Sequence, residues 1–159
     1  MKNTASHLIE VLELSLQGLR LISDEKASVR PAPGKWSAKE IIGHLTDSAA
    51  NNHQKFVRTI LEDGVRFVGY AQDGWVATQH YNEESWEQLL LVWEHYNRHL
   101  AHIMQHIPAA ALEHEIFIDG KGPFTLAFIV KDYLEHLKHH MEEILPAAHF
   151  TGNEFRMIY

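Results

Sequence analysis

Four stretches of about 20 residues, in which apolar side chains return every three or four positions, dominate this chain of 159 residues and constrain its fold more than any other feature. The first, over residues 3–24, carries Leu8, Ile9, Leu12, Leu16, Leu19 and Ile22. Arg30-Pro31-Ala32-Pro33-Gly34-Lys35-Trp36 cannot continue it, because two prolines and a glycine break the hydrogen-bond ladder. The second, over 37–62, opens with Ser37 and, three residues on, Glu40, a capping box in which each side chain satisfies an orphan N–H of the first turn. Asn82-Glu83-Glu84-Ser85 introduces the third, with Trp86, Leu89, Leu90, Trp93, Tyr96, Leu100 and Ile103, ending near Ile107-Pro108. The fourth, over 124–145, carries Leu126, Ile129, Val130, Tyr133, Leu134, Leu137, Met141 and Ile144 and stops before Pro146. None of these helices can bury its stripe alone, so the pattern predicts an all-α fold, a four-helix bundle around one core.

The connections flanking the second helix, about 12 and 20 residues long, exceed the usual bundle loop and are expected to cover one end of the bundle. The later one, from Glu62-Asp63-Gly64 through Trp75, is glycine-punctuated and aromatic, which predicts a long ordered loop with one short helix. Residues 113–125, with Ile116-Phe117-Ile118 before Asp119-Gly120-Lys121-Gly122-Pro123, predict a small hairpin or an extended excursion. The length suits one domain over 1–148 followed by a tail, 149–159, whose Phe155, Met157 and Tyr159 are candidates to dock on a neighbour.

With 45% hydrophobic and 22% charged residues the chain is not a disordered one. Its net charge of −7 argues against nucleic acid or an anionic membrane as a partner, and Lys35, Lys39, Lys55, Arg58 and Arg66 lie scattered among acids rather than in a patch. A small-molecule substrate is the expectation. The absence of cysteine excludes disulfides, thiolate ligands and a cysteine nucleophile. The amphipathic N-terminus and the lack of any run of 18 apolar residues make a cytoplasmic location the default.

Thirteen histidines are the unusual feature of the composition: protonating all of them would carry the formal charge from −7 to +6, so acid sensitivity is expected. Position has to select among them. In Glu135-His136-Leu137-Lys138-His139-His140, His136 and His140 stand one turn apart on one face, a spacing that can chelate a metal ion. Measured from the apolar line of Val130 and Leu137, His140 falls about 70° and His136 about 110° to one side, at the border of core and surface, while His139 points to solvent. A third ligand is required from a facing helix. His44 and His53 flank the apolar stripe of the second helix on opposite sides, and either one can face the fourth; His44 has Asp47 and Ser48 in its next turn as orienting groups. His95, His99, His102 and His106 also recur at three- and four-residue spacings, but off the apolar stripe, which reads as a solvated face. Trp36, Trp86 and Trp93 are expected in or beside the core, and Trp75 in the glycine-rich loop is the tryptophan placed to line a pocket.

Pro33-Gly34-Lys35-Trp36-Ser37-Ala38-Lys39-Glu40-Ile41-Ile42-Gly43-His44-Leu45-Thr46-Asp47-Ser48 resembles the first signature block of the DinB/YfiT-like metalloprotein superfamily. Asp132-Tyr133 with His136 and His140 resembles its second block, and with the loop Gln72-Asp73-Gly74-Trp75-Val76 the likeness extends from about residue 30 to 145. The resemblance implies an up-down-down-up four-helix bundle, a homodimer, and one divalent metal, zinc or nickel, held by three histidines. By matching position these are His44, His136 and His140, which places His44 ahead of His53. A broadly apolar first helix, with Ile9, Leu12, Leu16 and Leu19, agrees with dimerisation.

Three neutral imidazoles leave coordination positions open, as catalytic sites do. Three functions are compatible with such a site. One is a metal-dependent hydrolase that activates water, with Asp47 as base or orienting partner and Glu135, Asp132 and Asp73 as competing carboxylates. Another is a thiol transferase using an external low-molecular-weight thiol. The third is a noncatalytic metal- or small-ligand-binding protein of the stress-response type.

Overall fold

The structure, a computed structural model, describes residues 1–148 and Phe150. Its long helices are α1 (Lys2–Leu19), α3 (Ala38–Leu61), α5 (Trp86–Gln105) and α6 (Leu126–Ile144), with the short helices α2 (Asp24–Ala27) and α4 (Gln72–Gln79) between them. α1 and α3 each pack against both α5 and α6, so the four long helices enclose one core. Leu8, Leu12 and Leu19 of α1, Ile42 and Phe56 of α3, Trp93 and Leu100 of α5, and Ile129, Val130 and Leu137 of α6 are completely buried in it. Each such side chain contributes about 1.5–3 kcal/mol. Leu12, Leu16 and Leu19, whose breadth suggested a dimer face, are spent inside this bundle, and Ile9 packs on its edge. The tail residues Phe155, Met157 and Tyr159 lie outside the described residues; Phe150 is buried against the core.

The fold departs from all-α by a three-stranded sheet in the order β1-β2-β3. β2 (Glu115–Ile118) and β3 (Lys121–Thr125) form the antiparallel hairpin anticipated in 113–125, and β1 (Val65–Phe67) joins β2 in parallel, Val65 opposite Ile116 and Phe67 opposite Ile118. Strands of three to five residues are too short to register as periodicity. The alternation of buried Ile116 and Ile118 with half-buried Phe117 shows only once the partner is known.

α1 ends at Leu19, short of the expected residue 24, because Ser23 starts a new turn by accepting a hydrogen bond from the Lys26 N–H. Asp24 then accepts from Lys39 Nζ at 2.9 Å and from the Trp86 N–H at 2.8 Å, tying α2 to the starts of α3 and α5. The connection from α3 to α5 contains β1, an irregular strap over residues 68–71, α4 and the 3-10 turn Tyr81–Glu83. It lies against α3: the Tyr81 ring occupies the space a side chain at Gly43 would need, 2.1 Å from where its Cβ would stand. Ser37 Oγ donates to Asn82 Oδ1 at 2.6 Å, so the two connections meet there. Asp119, in the hairpin turn with φ of 50°, accepts the Gly69 N–H at 2.8 Å and so clasps the strap; a Cβ on Gly69 would lie 2.2 Å from its other oxygen. No helix of the described residues is long and apolar enough to cross a membrane.

Candidate metal centre

The register that sends Ile42, Leu45 and Ala49 of α3 into the core carries His44 in with them, fully buried. One face of α6 presents His136 and His140 a turn apart, both half-buried. The three imidazoles converge: ring centroids lie 5.1 Å (His44 to His136), 4.8 Å (His44 to His140) and 4.7 Å (His136 to His140) apart. One nitrogen from each lies within 4.8 Å of the others. His44 Nε2 stands 3.2 Å from His136 Nε2. Two imidazole nitrogens sharing a tetrahedral zinc would stand about 3.3 Å apart, so the two rings already hold the spacing of a shared ion.

All three imidazoles are kept neutral, the form that ligates metal. Burial is the main cause throughout. It takes His44 down to about 3, with His140 nearby adding to the effect. His136 is pushed well below the ordinary value by burial and by the neighbouring His140 and His44. For His140, burial outweighs the opposing pull of Glu143.

The surroundings are partly organised and partly unsatisfied. Ser48 Oγ is 3.4 Å from His136 Nδ1, and the Asn52 Nδ2 one turn on donates to the Ser48 carbonyl at 2.9 Å. Among the described residues the Nδ1 atoms of His44 and His140 are buried without a close hydrogen-bond partner, Glu143 Oε1 standing 3.5 Å from the latter. Trp36 covers the cluster, its ring 5.0 Å from that of His44 and 6.3 Å from that of His140. It packs on the core as expected of it, and it also forms part of the site wall, which its place at a helix entry did not reveal.

A cavity of about 280 Å³ opens beside the histidines. The strap supplies Tyr70 to its wall and the start of α4 supplies Gln72, α3 supplies Asn52 and Lys55, and α6 supplies Asp132 and Tyr133. His139 is exposed, as its position on the helix indicated, and sits at the cavity edge. Lys55, which read as one of a scatter of surface cations, is buried here; burial pushes its amine down while Asp132 and Asp119 hold it up. Tyr70 is pushed upward by burial and by the field of Asp47.

Other candidates are placed elsewhere. Both oxygens of the Asp47 carboxylate accept from Gln79 Nε2, at 2.9 and 3.0 Å, and Oδ1 also accepts from the Tyr81 hydroxyl at 2.8 Å. Burial raises it, against the pull of those two partners. It therefore anchors α4 and the turn after it. Ser48, one position further on, is the residue that reaches a histidine of the cluster. Trp75 is half exposed and packs on Tyr70, ring centroids 4.8 Å apart, so that Tyr70, and not Trp75, is the aromatic that this segment contributes to the cavity wall. His53 faces α5, its Nδ1 3.1 Å from the Tyr96 hydroxyl. Glu135 pairs with Lys138 Nζ at 2.6 Å, Asp73 is exposed, and His95, His99, His102 and His106 are all on the solvated side.

Lys55 and Tyr70 were the residues that periodicity missed. A lysine three turns beyond His44 on the same helix is the signal for the first; Tyr70 enters from an irregular segment and has no such signal.

Among solved structures, the chain is similar to YfiT from Bacillus subtilis, described as a probable metal-dependent hydrolase with an unusual four-helix bundle topology. The TM-score is 0.82 over 91% of this chain and 83% of that one, at 18% identity, a likeness of fold. No curated protein matches the sequence. The family model that does match spans residues 7–144, taking in all three histidines and both connections, and by that match the chain belongs to the DinB superfamily.

Proposed function

We propose that this protein is a metal-dependent hydrolase in which His44, His136 and His140 hold one divalent ion, zinc or nickel, at the edge of the cavity. The observation that carries the reading is three neutral imidazoles whose nitrogens lie within 4.8 Å of one another, two of them forming cavity wall. An all-imidazole donor set suits zinc and nickel alike. The description of YfiT as a probable metal-dependent hydrolase supports the reaction class.

An ion held there would polarise a substrate carbonyl and lower the pKa of water toward about 7. The chain's own residues do the rest. Ser48 Oγ, beside His136 Nδ1, keeps that ring turned so that Nε2 faces the other ligands. Trp36 shields the cluster from bulk water on one side. Tyr70 and Tyr133 give the cavity aromatic walls, fit for a small organic substrate.

Two further parts of the proposal concern architecture. The helix order is up-down-down-up, supported by Trp86 Nε1 bonding the Leu19 carbonyl, Ser37 meeting Asn82, and Phe56 packing on Tyr133. The working unit is a homodimer, supported by exposed Leu14, Leu91 and Val92 on α1 and α5, two helices that pack together; light scattering that returns a monomer at micromolar concentration removes this part.

The test is elemental analysis followed by a panel of esters, amides and lactones. Turnover abolished by a chelator and restored by zinc or nickel is the expected result. Stoichiometric metal with no turnover, alongside conjugation of a low-molecular-weight thiol to an electrophile, would replace hydrolysis with thiol transfer.

A further inference from the structure

An imidazole that ligates a metal uses one ring nitrogen and keeps a hydrogen on the other, so each ligand needs an acceptor behind it. The three histidines differ in what stands there. His44 and His136 turn their Nε2 atoms toward one another, 3.2 Å apart, which puts their Nδ1 atoms on the outer side. Ser48 Oγ lies 3.4 Å from His136 Nδ1. His44 Nδ1 is buried with no hydrogen-bond partner among the described residues. His140 Nδ1 is buried too, but a carboxylate oxygen, Glu143 Oε1, stands 3.5 Å from it.

Glu143 follows His140 by three residues in the last turn of α6, a spacing that makes the two side chains neighbours on the helix surface. The same Oε1 lies 3.4 Å from Nε2 of the exposed His139. Both distances exceed the ~2.7–2.9 Å of a charge-assisted hydrogen bond, so the carboxylate stands between two imidazoles and is committed to neither. Its side chain is half exposed and pairs with no Lys or Arg among the described residues, and closing on His140 takes less than about 1 Å. Other carboxylates near the cluster are engaged or distant. Asp47 is held by Gln79 and Tyr81, Glu135 pairs with Lys138, and Asp132 is eight residues, about 12 Å of helix rise, from His140.

The choice between His139 and His140 follows from tautomers. In the metal-free chain the single ring hydrogen of neutral His140 can sit on either nitrogen. Ligation through Nε2 fixes it on Nδ1, where it is buried and has Glu143 to meet, whereas the exposed His139 has water as an alternative partner. We propose that Glu143 is the positioning residue for His140: when His140 ligates through Nε2, its Nδ1–H takes the carboxylate from His139 and the ring is held in place as a ligand. Glu143 touches neither the ion nor a substrate in this role, which rests on the three-histidine metal reading.

Zinc affinity of the full chain by chelator competition, together with nitrogen-15 NMR of the zinc-loaded chain labelled in histidine, tests this. The wild type is expected to show zinc on His140 Nε2 and a slowly exchanging, downfield His140 Nδ1 proton. Glu143→Ala should lower affinity at least ~10-fold, as loss of an outer partner does, and should shift or abolish that proton while the His136 Nδ1 proton stays where it is. Glu143→Gln, whose amide oxygen still accepts, should lose only about threefold. Glu142→Gln removes the same charge one residue away; it should cost less than about twofold and leave the His140 proton unmoved. Zinc on His140 Nδ1, or a Glu143→Ala protein with normal affinity and an unmoved His140 proton, overturns the role of Glu143 while the three-histidine site stands. Equal losses in Glu143→Ala and Glu142→Gln also overturn it, reducing the effect to the general field of an acid. A wild type that takes up no zinc brings down the three-histidine reading itself, and the role of Glu143 with it.

Discussion

Of the histidine pairs that stand one helical turn apart in this molecule, two share little besides that spacing. On α6 the rings of His136 and His140 are 4.7 Å apart; on α5 those of His102 and His106 are 4.4 Å apart. By distance alone the second pair would be the better chelate. Yet His102 and His106 are exposed, and His106 Nδ1 lies 2.8 Å from the carbonyl of His102, within its own helix. His136 and His140 face a buried third imidazole from α3, are held neutral, and leave one Nδ1 without a close partner among the described residues. Spacing sets how far apart two rings are. The facing helix decides whether they have anything to share.

The widest separation between the pairs should appear in metal binding. Replacing His44, His136 or His140 by Ala is expected to lower zinc or nickel affinity more than ~100-fold, beyond the effect of an outer partner, while His102→Ala and His106→Ala leave it unchanged. Competition with a chelator measures both; equal losses in the two sets would erase the distinction.

Acid provides the next largest contrast. The folded pKa values of the three clustered imidazoles lie below the unfolded value of about 6.5, so the unfolded chain takes up protons that the folded chain refuses. Stability from this source is intact above pH 6.5 and is lost as pH falls toward the value of about 3 that His44 reaches. The loss should amount to several kcal/mol in the metal-free protein by urea unfolding at pH 7.5, 6 and 5. His44→Gln should flatten the curve and His102→Gln should not; the same slope in both variants would place the acid sensitivity outside the cluster.

Within the cluster, Ser48→Ala should cost ~10–100-fold in metal affinity, because the group beside His136 Nδ1 is lost. Asp47→Ala should leave affinity alone and instead destabilise the fold by about 1–3 kcal/mol, since it strands the buried Tyr81 hydroxyl and frees the Gln79 amide of α4. A Ser48→Ala protein that binds metal normally would return the orienting role to the carboxylate. The smallest effect belongs to the exposed pair: His102→Ala should change thermal stability by less than about 0.5 kcal/mol.

Much of this was legible in the chain itself, and the reason is locality. The capping box of Ser37 and Glu40, the stop before Pro108 and the turn-apart pair on α6 all involve residues within four positions of one another. Resemblance added His44 to that pair, and the structure brings the three together. What stayed hidden depends on distant segments. β1 becomes a strand only because Ile116 and Ile118 lie opposite it, some fifty residues later. Asp47 and Ser48 look equivalent in sequence, yet the Tyr81 and Gln79 that claim Asp47 come from the connection folded back over α3. Lys55 reads as a surface cation until the strap and α6 close over it.

That strap separates two tasks. Tyr70, and Gln72 where the strap enters α4, reach the cavity from a stretch that contributes none of the three imidazoles, and the strap is fastened by the contact between Gly69 and Asp119 rather than by helix register. Gly69 apart, whose place against Asp119 leaves no room for a side chain, residues 68–72 are therefore free to vary in shape and polarity without displacing a ligand nitrogen, as loops on a rigid scaffold generally are. Diversification of what such a bundle acts on would accumulate in this short run, and exchanging it between proteins would be the economical way to redirect one.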